Sequence, residues 1–317
     1  MDSVRERIRS LLKLSSGSVV PSATVIDQVD GDGFTRSLIQ YSVPDGDRIE
    51  AFLFQPTDET LPGAVLALHQ HNSQWTIGKS EIAGSVGDPL QAFGPALARR
   101  GVTVLAPDAV GFESRLKTAG WGASLAPPLH RPHCTTDGWL QYYNEMAHRL
   151  VRGDLLIRKV LDDSAVALSV LQRYSRSVNL GAIGHSFGGI VGLFLAALDT
   201  RVAFACLSGA ACSFRHKFEH GTGLEMSLII PSFTEHFDIV DLIRCVAPRR
   251  LLVISSEDDP QTADAEDIVR EALSLFEAQH CANHLEHLRV AGPHALNQRR
   301  FDAILDWSIA QSRISEA

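Results

Sequence analysis

Five consecutive residues, Gly184-His185-Ser186-Phe187-Gly188, have the types and order of a reactive serine turn, G-x-S-x-G. An apolar run at 180–183 precedes them, and a longer apolar stretch at 190–197 follows. The expected path is strand, sharp turn, helix, with the glycines letting strand and helix backbones approach closely. Such a turn lifts the Ser186 hydroxyl above a sheet edge. It also aims the Phe187 N–H, at the positive end of the helix, toward a developing oxyanion. A serine hydroxyl is a poor nucleophile at neutral pH. It needs a neighbouring base, and that base needs an orienting carboxylate.

A serine on this kind of turn is followed along the chain by its acid and then its histidine. After the apolar run 251–254 comes Ser-Ser-Glu-Asp-Asp-Pro at 255–260, so Asp258 and Asp259 both stand just past a strand end. Counting three residues on from the small Ser256 favours Asp259. Farther on, the strand-like 287–291 leads into Gly-Pro-His, placing His294 in a tight turn before a terminal helix at 301–307. The separations of 73 residues from Ser186 to Asp259 and 35 from Asp259 to His294 leave room for the strands and helices that would bring the three to one edge. A second oxyanion donor is expected after the run 64–68, where His69-Gln70-His71-Asn72 follows, and the His71 N–H is the first candidate, with Asn72 next.

The pairs His69/His71, His130/His133 and His216/His220 could each offer two metal ligands. No third ligand follows at a suitable spacing and HExxH is absent, so no metal is expected. Neither G-x-G-x-x-G after a strand nor a G-x-x-x-x-G-K-[ST] loop occurs, so no nucleotide cofactor is expected.

These residues need a scaffold. Short continuous apolar runs at 64–68, 102–106, 180–183, 202–207 and 251–254 fit strands buried on both faces, as in a parallel sheet. Helical spacing at 90–100, 154–174 and 264–279 fills the gaps. The alternation predicts an α/β, mostly parallel, doubly wound sheet. Residues 4–13 read as an amphipathic helix. The stretch 37–56 reads as an antiparallel hairpin turning at 44–47, its second strand alternating like a half-exposed edge strand. Two segments break the rhythm, 111–150 and 213–238. They read as irregular, lid-like insertions over the carboxyl edge, where ligands bind in such sheets. The organisation expected is an N-terminal helical extension, 1–35, and one domain, 36–317.

The totals fit an ordinary soluble globular protein, with 45% hydrophobic and 21% charged residues. There are 29 Lys and Arg against 37 Asp and Glu, a net charge of −8, which speaks against nucleic acid or an anionic membrane as partner. The start of the chain lacks the apolar stretch of a signal peptide, and no window has the ~20 apolar residues of a membrane span. Five scattered Cys without a CxxC pair read as reduced thiols, so a cytoplasmic setting is expected. The partner expected is a small-molecule substrate, with a homodimer left open.

Together these residues resemble the dienelactone-hydrolase-like branch of the α/β hydrolases, and within it the bacterial acetyl xylan esterase-like group. The resemblance runs over about residues 45–307. It rests on the blocks 45–56, Leu-His-Gln-His-Asn at 68–72, 106–115, Gly-His-Ser-Phe-Gly-Gly at 184–189, 207–215, 247–260 and Gly-Pro-His at 292–294. It implies the α/β-hydrolase fold and a triad of Ser186, Asp259 and His294. Three departures stand out: Gln70 and Asn72 replace the usual glycines after His69, Ser256 stands where Gly is usual, and Pro293 precedes the histidine. The branch covers esterases, lactone hydrolases, peptidases and carbon–carbon bond hydrolases. Hydrolysis of an ester or lactone through an acyl-enzyme on Ser186 is therefore the first expectation. Amide, thioester or carbon–carbon cleavage, acyl transfer by the same triad, and a non-catalytic binding role are the alternatives.

Overall fold

The computed structural model describes residues 2–15, 20–116 and 136–314. In chain order the elements are α1 (Asp2–Leu11), β1 (Ala23–Gly31), β2 (Phe34–Ser42), β3 (Arg48–Pro56), β4 (Ala64–Leu68), α2 (Lys79–Ile82), α3 (Phe93–Ala98), β5 (Thr103–Pro107), α4 (Thr136–Val151), α5 (Leu156–Ser175), β6 (Leu180–His185), α6 (Phe187–Leu198), β7 (Val202–Ser208), α7 (Phe214–His220), α8 (Ile239–Val246), β8 (Arg250–Ser256), α9 (Ala265–Ala278), β9 (Leu285–Val290) and α10 (Gln298–Ser312).

The strands form one nine-stranded sheet in the order β1-β2-β3-β5-β4-β6-β7-β8-β9. The first three strands join β5 antiparallel, and β5 through β9 are parallel. Every residue of β4, β5 and β6 is buried, as their unbroken apolar runs require of strands covered on both faces. Helices α5, α6 and α8 cover one face, and α3 and α10 the other. Helix α6 is buried along its whole length, which matches its apolar sequence. No helix among the described residues is long and apolar enough to cross a membrane.

Four sequence expectations change. The stretch 1–35 is not only helical, because β1 adds a strand beside β2. Its exposed residues hide the alternation that marks a half-buried strand. Strand β3 is not an edge strand: it lies between β2 and β5, and its alternating pattern reflects one face packed on the core. The helix expected over 90–100 is confined to α3 after a short 3-10 turn at Pro89–Gln91. Residues 136–151 form the regular helix α4, and 214–220 form α7, so neither insertion is irregular throughout. Of the segment 111–150, residues 117–135, which carry Trp121, His130, His133 and Cys134, lie outside the described residues.

Strand order reverses at β4: β5 lies on one side of it and β6 on the other. Loops leaving the carboxyl ends of strands diverge at such a point and open a crevice. Register places the ends of β6, β7 and β8 level, since Ser208 pairs with both His185 and Ile254.

Candidate active site

Ser186 occupies the turn between β6 and α6 with φ +55° and ψ −121°. A non-glycine residue rarely takes positive φ, and the surrounding contacts hold it there. The Ser186 N–H donates to the Ser208 carbonyl at 2.8 Å, extending the sheet by one bond before the chain turns. Two glycines make the turn sterically feasible. A Cβ on Gly184 would sit 2.3 Å from the Gly188 carbonyl carbon, and one on Gly188 would sit 2.1 Å from the Leu68 carbonyl oxygen. The head of α6 therefore lies directly against the end of β4.

The loop after β8 carries Asp259 and the loop after β9 carries His294. His294 Nε2 lies 2.9 Å from Ser186 Oγ, and its Nδ1 lies 2.9 Å from Asp259 Oδ2. Asp259 is 2% exposed, whereas the Asp258 side chain is exposed. The Gln261 N–H donates to the other Asp259 oxygen at 2.9 Å. One carboxylate is thus buried, oriented and aimed at the imidazole, and its neighbour faces water.

No family model matches the chain. Over 239 residues it is 27% identical to the "Putative hydrolase YtaP" of Bacillus subtilis (strain 168), covering 73% of this chain and 72% of that protein. Among solved structures it superposes on a "putative acetyl xylan esterase" from Bacteroides fragilis NCTC 9343 with a TM-score of 0.72 at 12% identity, over 97% of this chain and 86% of that one. On a glucuronoyl esterase from Solibacter usitatus the TM-score is 0.66 at 16% identity, over 97% and 92%. The chain has the α/β-hydrolase fold.

In an α/β hydrolase a second oxyanion donor comes from the loop after an early strand. The loop after β4, where the sequence leads one to expect that donor, leaves its strand against Gly188 at the head of α6. His69 supports it from beneath. Its Nδ1 lies 2.8 Å from the Gln70 carbonyl and its Nε2 accepts from the Ala109 N–H at 3.1 Å. Burial lowers its pKa, so it stays neutral. Gln70 points away from the site and donates to Glu81 Oε1 at 2.9 Å. Asn72 and Ser73 take φ +42° and +54°. Asn tolerates that region, which explains how it serves where a glycine is usual. His71 Nδ1 accepts from the Ser73 N–H at 2.9 Å, and its ring lies edge-on to Trp75 and Phe112. Burial pushes its pKa down to about 4, so its Nε2 carries a hydrogen at neutral pH.

Both His69 ring nitrogens and the His71 Nδ1 are thus engaged by backbone. The His216 and His220 rings stack 4.0 Å apart. Among the described residues no group of three or more His, Cys, Asp or Glu is arranged to hold a metal ion. The pair His130/His133 lies outside them. Cys206, Cys212, Cys245 and Cys281 are free and buried.

Two residues have supporting roles that their places in the sequence did not signal. Arg300, on α10, is fully buried. Its Nη1 donates to the His294 carbonyl at 2.6 Å, with the Pro293 and Ala295 carbonyls at 3.2 and 3.1 Å. Its Nη2 lies 3.7 Å from Asp259 Oδ2. Ser256 Oγ lies 2.8 and 2.9 Å from the Gly292 and Pro293 carbonyls. The serine standing in place of glycine therefore ties the end of β8 to the histidine loop. His185 packs its ring 4.9 Å from that of His294 and is held neutral by burial. Ser186 and His294 open on a cavity of about 420 Å³, whose walls include His71, Trp75, Phe214, Lys217, Leu224 and Met226.

Proposed function

We propose that this protein hydrolyses carboxylic esters, lactones included, of small molecules through an acyl-enzyme on Ser186. The observation that carries the reading is the continuous chain from Ser186 Oγ through both His294 nitrogens to Asp259, with each link at 2.9 Å. His294 Nε2 takes the serine proton as Oγ attacks the carbonyl carbon, and it returns that proton to the leaving alkoxide. Asp259 accepts from Nδ1–H, keeps the ring in the required tautomer and stabilises its cationic form. The Phe187 and His71 N–H groups serve the oxyanion. Water then attacks the acyl-enzyme with His294 as base. The esterase names among the structural neighbours favour an ester over an amide or carbon–carbon bond.

A fluorophosphonate probe is expected to label Ser186 in the wild type and nothing in Ser186→Ala. The same variant should lose about 10⁶ in kcat on a para-nitrophenyl ester with its melting temperature little changed. Retention of a tenth of the activity would remove Ser186 as nucleophile.

A further inference from the structure

Among the described residues three lysines are buried: Lys79, Lys159 and Lys217, at 4, 4 and 5% exposure. Burying an ammonium is costly unless it is paired. Lys79 meets Asp108 at 2.8 Å and Glu113 at 2.7 Å. Lys159 meets Asp163 and Asp47, each at 3.0 Å. These partners hold both pKa values above the ordinary lysine value.

Lys217 is different. It sits in the last turn of α7 and forms part of the wall of the cavity beside Ser186. Its Nζ donates to the side-chain oxygen of Gln261, and it joins no ion pair among the described residues. The acids nearest it are occupied. Asp264 accepts from the Ser213 N–H at 3.1 Å and from its hydroxyl at 2.5 Å. Asp259 serves His294. Their fields do not offset burial, which holds the Lys217 pKa below the ordinary value. Within the described protein, the three donors of the ammonium meet one side-chain acceptor, Gln261. They belong to a side chain that helps line the cavity where a substrate would lie.

One other ionisable wall residue, Glu225, does not fill the gap. Its oxygens accept from the Tyr142 hydroxyl at 2.8 Å and the Ser227 N–H at 2.6 Å. Burial raises its pKa.

We propose that Lys217 is a specificity residue that selects esters bearing a carboxylate, which pairs with its ammonium as the ester carbonyl reaches Ser186. The inference rests on the ester-hydrolase reading above and narrows it to anionic substrates. A carboxylate would complete the donor set of Lys217 and form a charge-assisted hydrogen bond in a desolvated wall.

Two substrate pairs test it, one for each side of the ester. The acyl side is read with the para-nitrophenyl monoester of glutarate against para-nitrophenyl valerate. The alcohol side is read with meta-acetoxybenzoate against meta-acetoxybenzamide. In at least one pair the wild type is expected to favour the anion by about tenfold or more in kcat/KM. That ratio should fall to one or below in Lys217→Met, persist in Lys217→Arg and invert in Lys217→Glu. A smaller ratio in both pairs, or a preference that survives in Lys217→Met, overturns the inference and leaves the ester reading standing. If the methionine variant fails to fold, Lys217→Glu decides: an inverted ratio supports the inference and an unchanged preference for the anion overturns it. An enzyme inert to all four esters overturns the ester reading and this inference with it.

Discussion

At the residue scale, two neighbouring aspartates differ because successive side chains in an extended turn point in different directions. Asp259 is buried and lies 2.9 Å from His294 Nδ1, while Asp258 is exposed and contributes its backbone N–H to the Gly292 carbonyl. Asp259→Asn is expected to lose about 10⁴ in kcat, because an amide can hold the imidazole in the wrong tautomer. Asp258→Asn should stay within about threefold of wild type, as a solvated substitution does. Steady-state kinetics on one ester ranks the two, and a reversed ranking would reassign the acid.

At the element scale, the histidine loop is held from two directions. Ser256 ties it to the end of β8, and Arg300 ties it to α10. Losing the guanidinium would leave buried carbonyls without their donor, at about 1–3 kcal/mol for each group left unsatisfied. Arg300→Met should therefore lower unfolding stability in urea by about 3 kcal/mol. It should also reduce kcat more than it raises KM, because His294 loses its support without loss of cavity wall. Arg300→Lys should recover part of the stability. A methionine variant as stable as wild type would show that the loop holds itself.

At the scale of the whole molecule, pH acts through buried groups outside the triad. Glu81 is 1% exposed and its pKa is raised from 4.5 to about 7 by burial. The folded state holds this proton more tightly than the unfolded state does. The contribution of Glu81 to stability is therefore fully present below about pH 4.5 and is lost as pH rises through about 7. The difference is worth about 3 kcal/mol. Glu81→Gln keeps an oxygen for the Gln70 side chain and removes the titration. It should be more stable than wild type at pH 8 and show a flatter profile from pH 5 to 8 in urea unfolding. A variant less stable than wild type at pH 8 would assign Glu81 a role as a charged group. Dialysis against EDTA should leave hydrolysis unchanged, since no step of the proposed mechanism uses a metal. Inactivation reversed by zinc would reopen the histidine pairs.

What the sequence determined by itself is what local physics encodes. Unbroken apolar runs mark strands covered on both faces, so the parallel core from β4 to β8 was legible. The glycines around Ser186 marked the turn because a close backbone approach tolerates little else. The order of Ser186, Asp259 and His294, each after a strand, was legible because strand ends share one edge of a parallel sheet. Tertiary structure alone decided the rest. Strand β1 and the interior place of β3 depend on pairing between strands, and exposed residues carry little trace of it. The roles of Ser256 and Arg300 depend on carbonyls 36 and six residues away along the chain, which meet them only in the folded protein. The charge of Lys217 is distinctive only because the fold buries it beside a cavity with its neighbouring acids already occupied. Burial and partnership are properties of a volume, and a residue's type and spacing do not encode them.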